Sequence, residues 1–506
     1  MNTKTNSGIG SRTDCANEKL LNPFVHHLEL DTTYEKIKTA LLTIILLPIR
    51  VVVICCFLVA GWLVASAGLL GITEEELMEK PLTGWRSRLK IVSAYLIRII
   101  FVIGGFRLKV IGGLPERDLA PLVALAPHSS FVDSLAMVYM GGPSIVAKGE
   151  TASIPLFGKL INFTQPIYVF REDSNSRQNT IKEIIKRARS KLDWPQILIF
   201  PEGTCTNRSC LITFKPGAFY PGVPVQPVCI RYPNKIDTVT WTWDGPGALK
   251  LLWLTLTRPY SYCEIEFLPV YTPNEEEKND PKLFANNVRK VMAKALGVPM
   301  SDYTYDDCKL LTRAKEMNLP QASSIVDLQK LRHSLGMANT NQEEALASSR
   351  TNLNLAEVTY KDFVNLLDIP PMELSSRQLF SIYKKDDNGV IDMREYLLCV
   401  LAINQTTPNA VKIAFKIYDQ SGQGRLRIED FCKAVCHTIS LSEDTAVDIF
   451  HQVDKNKLGY VTYNSFLIYV DSRPELVNLL YRNKEEKFMR KHGQFCPIDD
   501  TGKKRD

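Results

Sequence analysis

Histidine and aspartate follow the apolar run that ends at Ala126-Pro127, and their types and spacing suit proton transfer. His128 and Asp133 are five residues apart, a distance that one turn into a helix can close. Histidine accepts a proton near neutral pH, and a carboxylate bonded to its second ring nitrogen fixes the tautomer and stabilises the imidazolium. The pair is therefore a candidate general base with a supporting carboxylate.

Two further polar segments also come directly after apolar strand candidates. Glu202, Gly203 and Thr204 follow one strand, and Arg171 follows the strand candidate Pro166–Phe170. Small residues at the carboxyl end of a strand let backbone approach a ligand, and sheets of this kind bind ligands at that edge. The planar guanidinium of arginine suits phosphate. The strand ends together predict a site with a base, a carboxylate–glycine turn and a phosphate clamp.

Strand and helix patterns alternate around these residues. The predicted strands are Arg107–Ile111, Leu122–Ala126, Ser144–Ala147, Pro166–Phe170, Ile197–Phe200, Val225–Arg231 and Cys263–Val270. The apolar positions of Thr180–Leu192 fall on one helical stripe, and a second helix is predicted from Asp280-Pro281 to Gly297. Short apolar strands between amphipathic helices predict an α/β domain over residues 113–300, with helices covering both faces of the sheet.

Two apolar segments precede this domain. After a polar tail over residues 1–40, residues 41–71 are apolar apart from Pro48 and Arg50, and they exceed the roughly 20 residues that a helix needs to cross a bilayer. One tilted span and a hairpin that enters and leaves on the same side are both compatible with this pattern. Residues 84–112 carry six basic and no acidic residues among apolar ones, which indicates a basic amphipathic segment on a membrane surface.

The C-terminal part contains a threefold repeat. The segments Lys384–Glu395, Asp419–Asp430 and Asp454–Ser465 begin 35 residues apart, and each has glycine at its sixth position after an aromatic-apolar helix. A helix, a twelve-residue loop with glycine at position six and a second helix are typical of an EF-hand. The sequence therefore predicts a connector over residues 301–350, an all-α EF-hand domain over 351–480 and a tail over 481–506.

Few of the oxygen ligands that calcium requires are present in the three loops. The first loop offers Asp386, Asn388, Asp392 and Glu395, but lysine stands at its first position. The other two loops lack several of the required side chains, including the glutamate at position twelve. At most one weak calcium site is predicted, at the first loop, and no cofactor is predicted for the chemistry.

Four blocks resemble the signatures of the glycerolipid acyltransferase family. In order they are His128–Asp133, which matches HxxxxD, then Arg171, Glu202–Thr204 and the apolar strand Val223–Pro227. The spelling of Glu202–Arg208 and of Phe214–Phe219 is similar to that of the lysophosphatidylcholine acyltransferases that carry C-terminal EF-hands. This resemblance covers nearly the whole chain.

The resemblance implies transfer of an acyl group from acyl-CoA to the hydroxyl of a lysophospholipid, without a covalent acyl-enzyme. His128 would take the hydroxyl proton with support from Asp133. The candidates for substrate binding are Arg171, Glu202, Gly203, Thr204 and Lys215. Lysophosphatidylcholine is the acceptor that the finer spelling implies. The alternatives are acetylation of an ether lysolipid, a lysophosphatidic acid acceptor and a catalytically inactive, membrane-tethered EF-hand adaptor. Nothing resembles a G-x-S-x-G elbow, which argues against a serine hydrolase.

Composition and the C-terminus indicate a cellular location. A net charge of +6 over 506 residues gives no indication of nucleic-acid binding. The twelve cysteines include no CxxC pair, as expected of a reduced, cytosol-facing protein. Lys503 and Lys504 stand where a dilysine retrieval signal would be recognised by coat proteins in the cytosol. We therefore expect an endoplasmic-reticulum membrane protein with cytosolic EF-hands, the Golgi and the lipid-droplet surface being alternatives.

Overall fold

The computed structural model describes residues 22–28, 30, 32–170, 175–337, 339–348, 354–383, 389–419 and 421–481. The chain forms two compact units, Met1–Cys308 and Lys309–Asp506. Several of the predicted residues fall outside the described ranges: Arg171, Asp386, Asn388, Lys503 and Lys504.

Seven strands form the central sheet of the first unit. They are β1 (Phe106–Ile111), β2 (Leu122–Ala126), β3 (Ser144–Lys148), β4 (Ile167–Val169), β5 (Ile197–Ile199), β6 (Val225–Arg231) and β7 (Ser261–Phe267). Their order is β1-β7-β6-β2-β5-β3-β4, and all neighbours are parallel except β6 and β7. The predicted strands are all present, with small shifts at their ends, and the sheet is mixed.

Nine helices of the first unit surround the sheet or precede it within the described residues. They are α1 (Thr33–Gly68), α2 (Glu74–Glu79), α3 (Trp85–Ile103), α4 (Ser134–Tyr139), α5 (Phe157–Phe163), α6 (Ser176–Ala188), α7 (Ala248–Leu256), α8 (Glu275–Asn279) and α9 (Pro281–Leu296). The Asp280 side chain caps α9, and Gly297 ends it in the left-handed conformation, as the sequence predicts.

Strand β2 lies in the middle of the sheet and is buried along its whole length. Successive side chains of a strand point to opposite faces. Leu122 and Ala124 accordingly join a core with Phe284 and Val288 of α9, while Val123 and Leu125 join the core on the other face. Burial on both faces explains why this strand is apolar throughout, and the buried strand fixes the position of the residues that follow it.

Helices α1 and α3 form an antiparallel hairpin. Gly61 of α1 packs beside Ile97 of α3, and the Arg86 side chain at the start of α3 donates hydrogen bonds to the carbonyls of Gly68 and Leu70. Helix α1 runs without a break through Pro48, so residues 41–71 do not fold back on themselves. Among the described residues, α1 is the one helix whose length and apolar composition suit a membrane span.

The second unit is helical. Its helices, the first of which crosses the unit boundary, are α10 (Tyr305–Glu316), α11 (Ile325–Ser334), α12 (Asn341–Ser348), α13 (Tyr360–Leu366), α14 (Leu374–Ser381), α15 (Met393–Ala402), α16 (Thr407–Tyr418), α17 (Ile428–Ile439), α18 (Glu443–Val453), α19 (Tyr463–Asp471) and α20 (Pro474–Leu480). The predicted connector is therefore largely helical.

Two helix–loop–helix pairs, α16–α17 and α18–α19, meet through their loops. Strands β8 (Arg425–Leu426) and β9 (Val461–Thr462) pair antiparallel between the loops. Four phenylalanines form a cluster of ring contacts beneath them: Phe415, Phe431, Phe450 and Phe466. In each loop the sixth-position glycine adopts a positive φ and donates its N–H to the first-position aspartate, at 2.7 Å in both cases.

Candidate active site

The end of β2 carries the predicted His–Asp pair, and the structure brings the two side chains together. His128 follows the strand, and a short turn at Phe131–Asp133 leads into α4. This turn folds Asp133 back so that its Oδ2 lies 2.8 Å from His128 Nδ1. The Asp133 side chain is fully buried, whereas the His128 side chain keeps 22% of its surface exposed. The pair therefore presents an accessible imidazole on a buried carboxylate.

Three further groups donate hydrogen bonds to Asp133. The N–H groups of Ser129 and Ser130 bond to Oδ2 at 2.7 and 3.0 Å, and the Tyr232 hydroxyl bonds to Oδ1 at 2.6 Å. Burial and the nearby Asp133 carboxylate raise the pKa of Tyr232 well above its ordinary value, so the phenol keeps its proton and donates. Because the carboxylate accepts, Nδ1 of His128 carries the proton and Nε2 is left as an acceptor.

Neighbouring groups set the protonation of His128. Burial by itself would lower the pKa of His128, but the neighbouring Cys205 and the hydrogen-bonded Asp133 carboxylate raise this pKa well above its ordinary value. The Phe200 ring stacks on the imidazole with 4.1 Å between centroids. The imidazole is therefore held by its edge and by one face, and the raised pKa makes Nε2 of the neutral ring a stronger proton acceptor.

Glu202 lies beneath the His128 backbone instead of facing open space. Its carboxylate is fully buried, accepts the His128 N–H at 2.6 Å and accepts the Ile212 N–H at 3.3 Å. Burial raises the pKa of Glu202 to about 7 against the opposing effect of these two N–H groups. The side chain thus connects the end of β5 to the residue that carries the imidazole.

Gly203 and Lys215 are in close contact at the same edge. Gly203 has φ +68°, and a Cβ at this position would lie 2.8 Å from the Lys215 ammonium nitrogen. That ammonium also lies 3.5 Å from the ring centroid of Tyr305. The Thr204 hydroxyl is buried and accepts the indole N–H of Trp243 at 2.9 Å. The predicted Glu202–Thr204 turn is therefore tightly packed around its glycine.

Sequence reasoning missed a further segment that borders the pair. The Trp241 N–H donates to the Ser129 carbonyl at 2.8 Å, which places this segment directly beside the His128 turn. Thr240 and Thr242 are buried, whereas the Trp241 and Trp243 side chains are exposed. The Thr-Trp-Thr-Trp alternation was the available signal, because a period of two indicates an extended segment with one face turned outwards.

Arg208 joins the same two segments. Its guanidinium donates to Ser129 Oγ at 3.0 Å and to Asp237 Oδ2 at 2.5 Å, and it lies over the Tyr232 ring. Asp237 also accepts hydrogen bonds from Thr240. This ion pair holds the tryptophan-bearing segment against the His128 turn. Its members are nearly 30 residues apart, so no local pattern indicates that they meet.

Comparison with known proteins agrees with this geometry. Residues 108–231, which include the His128 turn and Glu202, match the family described as Acyltransferase. The lysophosphatidylcholine acyltransferase of Drosophila melanogaster is 45% identical over 92% of this chain and 88% of its own length. Lysophosphatidylcholine acyltransferase 1 of Rattus norvegicus is 41% identical over 90% of this chain and 85% of its own.

Lysophosphatidylcholine acyltransferase 2 of Homo sapiens is also similar, at 40% identity over 88% of this chain and 83% of its own length. Identity at this level, over nearly the full length of each relative, extends well beyond the short motifs around His128 and Glu202. It covers both compact units of the structure. The chain belongs to the lysophosphatidylcholine acyltransferase family.

Proposed function

We propose that the protein transfers an acyl group from acyl-CoA to the free hydroxyl of lysophosphatidylcholine. One observation carries the proposal: an imidazole at a strand end has its Nδ1 2.8 Å from an oxygen of a buried carboxylate and keeps part of its own surface exposed. Such an imidazole is a general base for a hydroxyl group. The relatives' names supply the acceptor, and the His128–Asp133 geometry supplies the chemistry.

In this mechanism Nε2 of His128 takes the proton of the lysolipid hydroxyl while the oxygen attacks the thioester carbonyl. The carbon–sulfur bond then breaks, and the imidazolium returns its proton to the departing CoA sulfur. Asp133 stabilises the imidazolium between these steps. Base catalysis of this kind contributes roughly 10²–10⁴-fold, and alignment of the two substrates contributes further.

Glu202 acts in this proposal as a positioning residue. Its carboxylate holds the His128 backbone and touches no open space, so its effect on the substrate passes through the imidazole. Lys215, beside Gly203, is the described candidate for contact with the phosphate. Arg171 remains the predicted second cation for that contact.

We propose further that the protein attaches to one leaflet of a membrane. Helix α1 bonds to the α/β domain along its length: Glu35 pairs with Arg258, and Arg50 donates to the carbonyls of residues 256, 258 and 259. Lys159 of α5 lies over Trp62. The gap from Arg50 to Trp62 spans about 18 Å at 1.5 Å per residue, whereas a bilayer core is about 30 Å thick.

Helix α1 therefore has no stretch long enough to cross a bilayer while it stays on the domain, and an in-plane hairpin fits these contacts. This attachment predicts that both termini face the cytosol. Tags at the two ends of the chain, tested for protease access in sealed microsomes, should both be cleaved. Protection of the N-terminal tag alone would show a spanning helix. Deletion of the last four residues tests the predicted dilysine signal, with loss of endoplasmic-reticulum residence as the expected result.

The second unit supports a proposal of paired EF-hands whose loops are structural. The second and third loops lack several of the oxygen ligands that calcium requires, including the glutamate at position twelve. Asp392, a predicted calcium ligand of the first loop, forms ion pairs with Arg394 and Lys433. No cluster of three or more metal-binding side chains occurs among the described residues. Calorimetry with calcium should show at most weak binding, at the first loop, and tight binding at the second or third loop would contradict this.

The enzyme assay is the first test. Membranes that contain the protein are incubated with labelled lysophosphatidylcholine and palmitoyl-CoA, beside His128→Ala and His333→Ala variants at equal expression. His333 is exposed and lies in the second unit, so its variant serves as a matched control. We expect product from the wild type and from His333→Ala, and a loss of roughly 10²–10⁴-fold in His128→Ala. Equal product from all three would exclude His128 as the base.

A further inference from the structure

Two aromatic rings meet edge to face beside the catalytic turn. The rings of Phe131 and Trp241 are 5.8 Å apart between centroids and inclined by 70°. Both side chains are exposed, to 37% and 41%. We call this pair the aromatic corner. Two exposed rings set against each other beside His128 offer ring faces to a ligand.

The aromatic corner is linked to the catalytic pair through the chain and through a backbone hydrogen bond. Phe131 belongs to the turn that joins His128 to Asp133, and the backbone of Trp241 donates to the Ser129 carbonyl at 2.8 Å. The Arg208–Asp237 ion pair holds the tryptophan-bearing segment in this place. An acceptor whose hydroxyl reaches His128 therefore has its headgroup close to these two rings.

We propose that the aromatic corner binds the trimethylammonium group of the acceptor's choline headgroup and so selects the acceptor. The inference rests on the proposed function, and it adds the residues that read the headgroup. The faces of aromatic rings carry negative charge density, and quaternary ammonium groups bind where two or more such faces converge. Rings inclined to each other by 70° offer faces to two sides of a rounded cation.

The carboxylates near the aromatic corner support trimethylammonium over a primary ammonium group. A primary ammonium group carries three N–H donors and needs acceptors for them. Asp237 is already committed to Arg208 and to the N–H groups of Val239 and Thr240. Asp133 is buried and accepts four hydrogen bonds. Neither carboxylate is available to an ethanolamine headgroup, whereas a trimethylated one needs no acceptor.

The test compares acceptors in Trp241→Leu and Trp241→Phe. Leucine keeps an apolar side chain without a ring, and phenylalanine keeps a ring face. Each protein is assayed with lysophosphatidylcholine and with lysophosphatidylglycerol, whose headgroup has no cation. We expect Trp241→Leu to lower kcat/KM for lysophosphatidylcholine about 5- to 30-fold, the range for a cation–π contact of ~1–2 kcal/mol. The value for lysophosphatidylglycerol should change less than about twofold, and Trp241→Phe should restore most of the choline preference.

Trp85→Leu is the matched control, because Trp85 is another exposed tryptophan and lies at the start of α3. It should leave the ratio between the two acceptors unchanged. An equal loss with both acceptors in Trp241→Leu would assign Trp241 to membrane contact and overturn the proposal. A rise in KM for acyl-CoA with either acceptor would assign the ring to the donor, which would also overturn it.

A binding measurement separates this inference from the proposed function. Hexadecylphosphocholine has a choline headgroup but no hydroxyl to acylate, so its binding to the purified protein does not depend on catalysis. Trp241→Leu should weaken this binding about 5- to 30-fold, and it should leave the binding of hexadecylphosphoglycerol unchanged. Equal affinities of wild type and variant for hexadecylphosphocholine would refute the aromatic corner even if the wild type acylates lysophosphatidylcholine.

Discussion

Asp133→Asn removes the charge beside His128 and leaves the shape of the site in place. The carboxylate oxygen Oδ2 accepts from His128 and from the N–H groups of Ser129 and Ser130, and Oδ1 accepts from Tyr232. Two backbone donors at Oδ2 favour the carbonyl oxygen of asparagine in that position. The amide nitrogen then faces the Tyr232 hydroxyl, which can rotate and accept. His128 therefore keeps its tautomer, and the negative charge is what the variant loses.

The size of the effect follows from this geometry. The hydrogen bond from the charged imidazolium to a carboxylate becomes a bond to a neutral amide oxygen. Hydrogen bonds to charged groups contribute ~1.5–3 kcal/mol. Because this free energy is lost from the imidazolium of the transition state, kcat falls about 10- to 150-fold. A fall towards 10⁴-fold would instead show that the asparagine is reversed and imposes the wrong tautomer. Asp133 also helps to raise the pKa of His128, so its loss moves the rise of activity with pH towards lower pH.

Initial rates of lysophosphatidylcholine acylation over a pH series measure both effects. Tyr232→Phe is the control, because it removes one donor to Asp133 and keeps the charge. A carboxylate with fewer donors attracts the imidazolium proton more strongly, so we expect this variant to move the pH profile the opposite way, towards higher pH. If Asp133→Asn changes neither the rate nor the position of the pH profile, Asp133 does not act on His128 and this reasoning is wrong.

Three other variants test the surroundings of the pair. Gly203→Ala places a Cβ 2.7 Å from Lys215 Cε at φ +68°; we expect a higher KM and a stability loss of ~1–2 kcal/mol in thermal unfolding. Cys205 is half-buried, and its neighbour Thr206 donates its N–H to the His128 carbonyl at 2.7 Å. A maleimide at Cys205 should therefore inactivate the wild type but not Cys205→Ala, as residual activity would show. Arg50→Met leaves the carbonyls of residues 256, 258 and 259 without this donor. Each carbonyl that stays buried without a donor destabilises the fold by ~1–3 kcal/mol, so the variant should lower the melting temperature with little effect on KM.

The residues that sequence could locate are those whose partners are near in the chain. His128 and Asp133 are joined by one turn, so a strand followed by a helix was enough to predict that they meet. Glu202 was found by its place after a strand. Tyr232 and Trp241 reach the same turn from about 100 residues away, and no local period indicates which loops of a sheet lie side by side. Burial of Glu202 was likewise invisible, because it depends on how β2 and β5 pair.

The fold shows the same division. Continuous apolar runs predicted the strands of the sheet, since strands covered on both faces need apolar residues throughout. Their order and the antiparallel direction of β7 depend on packing between distant elements. Pro48 made a hairpin within residues 41–71 compatible with the sequence, yet α1 continues through this proline without a break. The turn of the hairpin lies instead between α1 and α3, where Gly68 and Arg86 meet.

The start of helix α1 lies close to the segments that surround His128. Residues 22–28 lie on the loops of the site: Asn207 donates to the Pro23 carbonyl, and His26 donates to the Asp244 carbonyl, both at 2.8 Å. Helix α1 begins at Thr33 and pairs with the domain through Glu35. The helix therefore starts at the edge of the sheet that carries His128. Because both substrates of the proposed reaction hold acyl chains in a leaflet, a site beside the start of α1 receives their polar ends without drawing the chains into water.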